Sequence, residues 1–429
     1  MRLPGRLAAA IEILGDVETR HRPVSEALKG WGISNRFAGA GDRAAIGNLV
    51  YDALRRRASH AFAMGEDTPR ALVLSVAVRD WGETPEALTA AFAEDSHAPA
   101  ALTGDEIARL LAADPLANAP DHVRADMAEW TAGRLAENFG AGWVAEGQAM
   151  AGRPPLDLRV NSLKSNRDRV LKTLARVSPH ETAISPLGIR FPAGTRDART
   201  PNVQVDEGYL KGWFEVQDQG SQIVSALTGA AAGEQILDLC AGAGGKTLAM
   251  AAAMQNKGQI FAYDSDRNRL APIYDRLKRN GVRNAQVRAP GPTALDDLIG
   301  KMDRVVIDAP CTGSGTWRRR PDAKWKLSAE QVVQRVGEQQ ALLVEAVRYL
   351  KPGGTLIYIT CSILPNENQQ QVTRFLEDNP GFDAADPKQL WSAQFPASPP
   401  PHFTATGLTL TPAVTDTDGF FLAALQRRG

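Results

Sequence analysis

The chain has 429 residues, and its 49 Lys and Arg residues are balanced by 49 Asp and Glu residues. This length allows two or three domains, while the balanced charge excludes a general attraction to polyanions, so any nucleic-acid surface must be a local patch. The three cysteines form no Cys-x-x-Cys pair and the six histidines are scattered, which argues against a disulfide framework and against a zinc site.

Apolar residues at helical spacing predict an all-helical first domain over residues 1–125. The first apolar run meets Glu12 and Asp16, so it is too short and too charged for a signal peptide or a membrane span. We therefore expect a soluble, cytoplasmic protein. Residues 41–55 have the pattern of one amphipathic helix with Asp42 as its N-cap, and the Ala-, Pro- and Asp-rich stretch 95–120 is predicted to be a linker.

The pattern changes near Pro154. Residues 126–214 are predicted to form a helical linker and a small α+β module, because residues 156–161 and 187–191 resemble strands and 167–177 a helix.

Strands alternate with helices over residues 215–429, which predicts a doubly wound α/β sheet with ligands at the carboxyl ends of its strands. The predicted parallel strands are 236–239, 259–264, 304–308 and 355–360, and the predicted helices are 247–256, 266–281, 328–350 and 365–379. Residues 418–425 are predicted to form the last strand, at an edge of the sheet.

A glycine-rich loop joins the first of these strands to an Ala-rich helix, and it consists of Cys240, Ala241, Gly242, Ala243, Gly244, Gly245 and Lys246. Glycines let the backbone approach a ligand, and the helix N-terminus offers free N–H groups. The end of the loop mimics a phosphate-binding loop, but the first glycine of that motif is replaced by Cys240, which disfavours ATP. Asp264 ends the next strand, where an acid can hold the ribose hydroxyls of a nucleoside. The alternative is a plain glycine turn with a helix-capping Asp264.

Two further cysteines, Cys311 and Cys361, follow the other two predicted strands in polar loops. Cytosine C5 is a poor nucleophile, but addition of a thiolate to C6 lets C5 attack an electrophilic methyl group, with an acid near N3 and a base for the C5 proton. Asp308, Cys311 and Cys361 supply these groups, although this chemistry does not rank the two thiols. The alternative is that both cysteines are small core residues. Cys240 is expected to line the cofactor site.

These motifs resemble those of the Nop/Sun family of RNA 5-methylcytosine methyltransferases. The resemblance covers about residues 126–429 and rests on residues 158–163, 216–222, 240–246, 308–315, 360–362, 366–368 and 418–421. It implies a Rossmann-like methyltransferase sheet after a small RNA-binding module, and S-adenosylmethionine held by residues 240–246, Asp264 and Asp308. It also implies that Cys361 is the nucleophile and that Cys311 assists product release.

The N-terminal region is similar to the NusB-like domain of the bacterial RsmB-like subgroup, through residues 42–43 and 49–55. That subgroup modifies a cytosine in 16S rRNA, so the resemblance implies 16S rRNA as the partner. One departure concerns the acid that contacts adenine in the family, because this chain has Ala289 at that position. Asp296 or Asp297 could substitute for it.

Basic residues suggest where RNA binds. The first group, between Trp317 and Trp325, consists of Arg318, Arg319, Arg320 and Lys324. The second group, on the small module, consists of Arg159 and Lys164. Arginine and lysine suit phosphate contacts and tryptophan suits base stacking, although a solvated basic turn is the alternative. Residues 55–57 form a third basic cluster. The target base should be unpaired or flipped out.

Three classes of function remain open. The favoured one is an RNA cytosine-C5 methyltransferase acting on 16S rRNA, with tRNA or 23S rRNA as alternative substrates. The second is a non-catalytic RNA-binding ribosome-assembly factor, and the third a methyltransferase of DNA, protein or a small molecule. A DNA cytosine enzyme would use Cys311 as its nucleophile, so replacing each thiol separately discriminates. No metal or membrane partner is expected; the sequence is compatible with a monomer but does not determine the oligomeric state.

Overall fold

Helices fill residues 3–150 of the computed structural model, which describes residues 1–429. They are α1 (Leu3–Arg20), α2 (Val24–Ser34), α3 (Ala40–Arg55), α4 (Arg57–Met64), α5 (Pro69–Ser75) with a π-helical extension (Val76–Asp80), α6 (Pro85–Glu94), α7 (Gly104–Leu110), α8 (Asp121–Arg124), α9 (Ala132–Phe139) and α10 (Trp143–Met150). A core of 24 buried apolar residues lies among α1 to α6. The predicted helical character of this region is confirmed.

Two local predictions in this region need correction. Helix α3 begins at Ala40, so Gly39 and not Asp42 is its N-cap; the Asp42 carboxylate, one turn inside, accepts a hydrogen bond from the Gly39 N–H at 3.3 Å. An acid is favourable at either place, because both lie near the positive end of the helix dipole. The predicted linker contains α7, which Thr103 and Glu106 stabilise through a reciprocal capping box.

A small antiparallel sheet follows, with strand order β2-β3-β1-β4. Its elements are β1 (Leu156–Val160), α11 (Arg167–Leu174), β2 (His180–Glu181), β3 (Gly188–Phe191), α12 (Glu207–Leu210) and β4 (Phe214–Val216). Helix α11 buries Val170 and Leu174 against the apolar side of this sheet. The two predicted strands and the helix are present, while our domain boundaries at residues 125 and 214 stay predictions.

The large sheet runs β11-β12-β13-β9-β8-β5-β6-β7. Its strands are β5 (Gln235–Asp238), β6 (Gln259–Tyr263), β7 (Ala285–Arg288), β8 (Met302–Asp308), β9 (Leu350–Thr360), β10 (Phe382–Ala384), β11 (His402–Phe403), β12 (Leu408–Leu410) and β13 (Phe420–Arg427). Its helices are α13 (Gln219–Leu227), α14 (Gly245–Ala253), α15 (Arg267–Leu270), α16 (Ile273–Asn280), α17 (Pro321–Lys326), α18 (Ala329–Val347), α19 (Gln369–Asp378), α20 (Pro387–Gln394) and α21 (Pro412–Thr415). Strands β5 to β9 pair in parallel, so their carboxyl ends meet at one edge.

Helices cover both faces of this sheet. Within β8, Val305 and Ile307 pack in the layer beneath α18 and α19, while Val306 packs in the opposite layer with α13 and α14. This alternation of burial is what a sheet covered on both sides requires, and it explains the continuous apolar runs in the sequence. No helix in the chain combines the length and apolar character needed to span a bilayer.

The prediction that the last strand lies at an edge is wrong. Strand β13 pairs antiparallel with β9 along one side and with β12 and β10 along the other. Its residues 420–425 are all buried, which agrees with an interior position. The short strands that cover it gave no recognisable sequence pattern of their own.

Candidate active site

The glycine-rich loop between β5 and α14 requires glycine for steric reasons. Gly242 and Gly244 have φ values of +49° and +81°, in the left-handed region. A side chain at Gly244 would bring a Cβ within 2.5 Å of Ile273 Cγ1. The Gly242 N–H donates to Asp264 Oδ2 at 2.9 Å, so the acid at the end of β6 holds the loop in place.

This loop borders a cavity of about 280 Å³. All of residues 240–246 except Gly244 line it, together with Asp308. Sequence reasoning missed Asp238, Gln217, Ser221, Arg269 and Arg276, which also line it. Residues 216–222 are one of the segments on which the family resemblance rests, and that signal could have placed Gln217 and Ser221 at the cofactor.

Asp264 itself is buried behind the loop. Its two oxygens accept hydrogen bonds from the N–H groups of Gly242 and Asp266, both at 2.9 Å. Each carboxylate oxygen has a further lone pair, so a ribose hydroxyl can still donate to Asp264. Its predicted role at the ribose stays a prediction.

The cavity contains buried acceptors that lack a donor. Asp238 Oδ1 and Gln217 Oε1 make no hydrogen bond, although Asp238 Oδ2 accepts one from Thr247 Oγ1 at 2.6 Å. Burial raises the pKa of Asp238 to about 7. A ligand that brings an ammonium group would satisfy these oxygens and favour the ionised form of Asp238. The residues present therefore fit the amino-acid part of S-adenosylmethionine.

Replacing Asp238 with Asn should stabilise the protein at alkaline pH. The folded protein holds the Asp238 proton up to about pH 7, whereas an unfolded chain releases it near pH 4, so wild-type stability falls as the pH rises between these values. Above pH 7 the free energy of unfolding of the variant should exceed that of the wild type by up to about a few kcal/mol, whereas below pH 4 the two should be equal. Urea unfolding at pH 4 and pH 8 checks this, and cofactor affinity measured by calorimetry at pH 8 should fall.

Asp303→Asn is the matched control. Although burial raises the pKa of Asp303, hydrogen bonds from Lys351 and from the Gln235 N–H lower it overall. This carboxylate stabilises the folded protein above its unfolded pKa, and its replacement should lower stability at pH 8. The same direction of change in both variants would contradict the assignment for Asp238.

The two remaining thiols meet at the carboxyl edge. Strands β8 and β9 are parallel neighbours, and the loops that follow them bring Cys311 Sγ within 3.3 Å of Cys361 Sγ. This is a thiol hydrogen bond, since a disulfide would be about 2.05 Å long. Both side chains are half-buried. The bond to Cys361, burial and the negative charge of Glu367 raise the pKa of Cys311 well above its usual value, so Cys311 stays a thiol and can donate to a thiolate on Cys361.

Glu367 connects the loop of Cys311 to the loop of Cys361 through hydrogen bonds. It was not predicted from the sequence as a site residue. Its side chain is fully buried and accepts hydrogen bonds from the Thr312 N–H at 2.8 Å, the Thr312 hydroxyl at 2.6 Å and the Ser362 hydroxyl. Gln339 Nε2 donates to it at 3.0 Å. Thr312 follows Cys311 and Ser362 follows Cys361, so one carboxylate fixes both loops.

Asp308 connects the thiols to the cofactor cavity. It ends β8, lines the cavity and forms an ion pair with Lys246, with Nζ 2.5 Å from Oδ2. The Lys246 side chain is buried, whereas that of Asp308 is 35% exposed. Asp308 therefore lines the cavity with part of its side chain accessible.

Three residues that we predicted to contact RNA are inside the protein. Arg318, Lys324 and Arg159 are no more than 5% exposed. Arg318 Nε donates to Asp418 Oδ1 at 2.6 Å, and Lys324 Nζ donates to the carbonyls of Arg55 and Asp126. The prediction of phosphate contacts is corrected for these three, because their side chains are buried and therefore not available to RNA.

Arg319 is half-buried and binds Asp218 and Asp418. Trp317 is buried, and Trp325 Nε1 donates to the Leu54 carbonyl at 2.6 Å. The basic and aromatic stretch after Cys311 is therefore mainly a contact with the helical region. Only Arg320 and Lys164 are exposed, so their RNA contacts stay predictions.

The expected replacement of the adenine-contacting acid by Asp296 or Asp297 stays a prediction. Ala289 directly follows β7, and neither Asp296 nor Asp297 lines the cavity. Both acids are exposed, and Asp297 pairs with Arg288 at 2.7 Å.

Two family models match the chain. The model described as 16S rRNA methyltransferase RsmB/F matches residues 226–426, and a ferredoxin-like domain model of RsmF/B-like methyltransferases matches residues 127–195. Ribosomal RNA small subunit methyltransferase B of Klebsiella pneumoniae subsp. pneumoniae is 37% identical over 303 residues, which are 70% of this chain and 66% of the relative. The probable ribosomal RNA small subunit methyltransferase B of Synechocystis sp. is 34% identical over 281 residues, 64% of this chain and 60% of the relative. The chain thus spans about 60–66% of these curated relatives.

Solved structures share the fold. The crystal structure of PH0851 has a TM-score of 0.73 and 24% identity, covering 100% of this chain and 99% of its own. A methyltransferase homolog protein from Pyrococcus horikoshii has a TM-score of 0.59 and 26% identity, covering 72% of this chain and 97% of its own. These likenesses confirm the predicted Rossmann-like sheet with its preceding modules.

Proposed function

We propose that this chain, which belongs to the RsmB/F family of rRNA methyltransferases, methylates C5 of a cytosine in 16S rRNA in the cytoplasm. The family's cofactor is S-adenosylmethionine. The observation that carries the proposal is the pair of thiols, whose sulfur atoms are 3.3 Å apart. One of them, Cys311, lies three positions after Asp308, an acid that lines the cofactor cavity. Methylation of an oxygen or of an exocyclic nitrogen needs no thiol, whereas C5 chemistry needs one and gains from two.

In this proposal Cys361 is the nucleophile. Its thiolate, stabilised by the Cys311 S–H, forms a bond to C6 of the base, and the displaced electron pair makes C5 nucleophilic while N3 takes a proton. Asp308 is the carboxyl group assigned to assist at N3. S-adenosylmethionine supplies the electrophilic methyl group when it is bound. A base then takes the C5 proton, and the electron pair of that C–H bond re-forms the C5–C6 double bond and expels Cys361 Sγ as a thiolate. The S–H of Cys311, beside the departing sulfur, assists by stabilising this thiolate.

Cys311→Ala is expected to trap the enzyme on its substrate. Without the assisting thiol, addition and methyl transfer proceed but release slows, so a covalent RNA–protein adduct should accumulate. A denaturing gel of the variant with unmodified 16S rRNA and cofactor should show a shifted band that nuclease removes. Cys240→Ala is the control, because that cysteine lines the cavity but should not react. A Cys311→Ala variant with full activity and no adduct would remove Cys311 from the mechanism.

The substrate test uses cofactor with a labelled methyl group. Unmodified 16S rRNA, 23S rRNA and tRNA are offered separately, and the products are digested to nucleosides. Label in 5-methylcytidine from 16S rRNA alone is the expected result. Label from tRNA or 23S rRNA would keep the chemistry and overturn the substrate, and label in another nucleoside would overturn the thiol mechanism.

A second candidate is a non-catalytic RNA-binding assembly factor. Ala289 favours it, because the adenine-contacting acid of the family is absent at this position. Calorimetry with S-adenosylmethionine separates the two candidates, since the assembly factor should show no binding in the millimolar range.

A further inference from the structure

A second cavity, of about 350 Å³, lies where the helical region meets the small sheet and is separate from the cofactor cavity. Four arginines and two acids contribute most of its charge: Arg56, Arg79, Arg153, Arg196, Asp52 and Asp80. Arg56 joins α3 to α4, Arg79 lies in the π-helical segment, Arg153 precedes β1 and Arg196 follows β3. The cavity therefore forms only when three parts of the chain come together.

The carboxylates of this cavity do not balance its guanidinium groups. Arg153 pairs with Asp52, and Arg56 pairs with Asp80 at 2.7 Å. Arg196 reaches outside the cavity to Glu83. Four cations against two acids leave an excess of two positive charges in the lining.

Arg79 is the cation without a carboxylate partner. One terminal nitrogen donates to the Arg109 carbonyl at 2.8 Å, but its buried Nε–H makes no hydrogen bond. A buried donor without an acceptor is rare in folded proteins and indicates a missing partner. Here the missing partner would be an acceptor, and the surplus of positive charge indicates an anionic one.

We propose that this cavity binds a backbone phosphate of the substrate RNA and so clamps the RNA between the helical region and the small sheet. A phosphate offers several acceptor oxygens, which suit the fork of donors on a guanidinium group. Arg56 and Arg196 are 47% and 50% exposed at the sides of the cavity, so they can turn from their carboxylate partners towards an incoming phosphate. The proposal rests on the proposed function for the nature of the RNA.

A residue next to the cavity wall also contacts the chain segment that follows Cys311. Next to Arg56 in the chain, Arg55 pairs with Asp52 in the cavity wall, and its Nε donates to the Arg318 carbonyl at 2.7 Å. Arg318 lies seven positions after Cys311 in the same loop segment. Arg57, the third arginine of the cluster, points instead to Glu18 and Asp67. The three adjacent arginines therefore have three different sets of partners, and only Arg56 lines the cavity.

The test is the salt dependence of RNA binding by the full chain carrying Arg56→Gln and Arg196→Gln. Fluorescence anisotropy with a labelled 16S rRNA fragment gives the affinity at several salt concentrations. Loss of one phosphate contact should lower the slope of log K against log salt by about 0.7–0.9 and weaken binding at low salt. Calorimetric affinity for S-adenosylmethionine and the Tm should stay at their wild-type values.

A variant carrying Arg335→Gln and Arg428→Gln is the matched control. Both arginine side chains are also accessible to solvent and paired with an acid, Glu338 and Asp383, but they lie on α18 and at the end of β13. This control removes the same kind of charge far from the cavity and should leave the slope unchanged. An equal slope in the double variant at the cavity and in the control would overturn the phosphate site. Equal competition by polyglutamate for the wild-type protein and the double variant at the cavity would also overturn the phosphate site, because it would indicate nonspecific binding of polyanions. Wild-type protein that binds no RNA would instead overturn the proposed function.

Discussion

Replacing Cys361 with alanine is expected to abolish methyl transfer while cofactor affinity stays near the wild-type value. Without covalent addition to C6, C5 of cytosine is too weak a nucleophile, and removing a residue that forms the covalent bond typically costs about 10⁴-fold or more in rate. Cys311 cannot take over, because it follows a different strand. The bond to Cys361 that raises its pKa is lost in this variant, but burial and the charge of Glu367 still keep the pKa of Cys311 raised. Transfer of labelled methyl to 16S rRNA measures the loss.

The effect should be chemical and not structural. Cys361 is half-buried, so the loss of one sulfur should change the Tm little, and Cys240→Ala provides a comparison with a more deeply buried thiol. Wild-type turnover by Cys361→Ala would refute the proposed nucleophile. An inactive Cys311→Ala together with an adduct-forming Cys361→Ala would exchange the two roles, as expected for a DNA-type cytosine enzyme.

The features that the sequence predicts correctly are those that depend on local residue patterns. The apolar run of β8 and the glycine-rich loop after β5 each depend on neighbours within a few residues. Such patterns report directly on burial and on backbone freedom. The same is true of the position of both thiols after adjacent strands, since parallel strands end at one edge.

What could not be predicted depends on partners distant in sequence. Lys324 is typical of a surface residue in composition, yet carbonyls of Arg55 and Asp126, some 200 residues or more away in the chain, surround its ammonium group. Burial lowers the pKa of Lys324 to about 8. Arg318 likewise donates a hydrogen bond to Asp418, which lies 100 residues away in the chain. A basic stretch in a sequence does not reveal whether such carboxylates and carbonyls will meet it. The sequence therefore predicts an RNA surface where the structure has a contact with the helical region.

Glu367→Gln is expected to disrupt the thiol pair almost as severely as loss of a thiol. The glutamine has the same size but only one acceptor oxygen, so at least one donor among the Thr312 N–H and the Thr312 and Ser362 hydroxyls loses its partner. Each buried donor left unsatisfied costs about 1–3 kcal/mol. We expect a lower Tm and a loss of methyl transfer, because Thr312 and Ser362 no longer hold the loops of Cys311 and Cys361 in contact. Glu338→Gln is the control, since Glu338 lies exposed on α18.

A merely structural role for Glu367 would not change the ionisation of the thiols, and this difference separates a positioning residue from a general support. The negative charge of Glu367 raises the pKa of Cys311, after the larger effects of the bond to Cys361 and of burial. Removing that charge, and with it the contact between the two loops, should lower the pKa of Cys311, so its alkylation by iodoacetamide, measured at a temperature where the variant is folded, should shift to lower pH. An unshifted alkylation profile with a lowered Tm would reduce Glu367 to a structural residue.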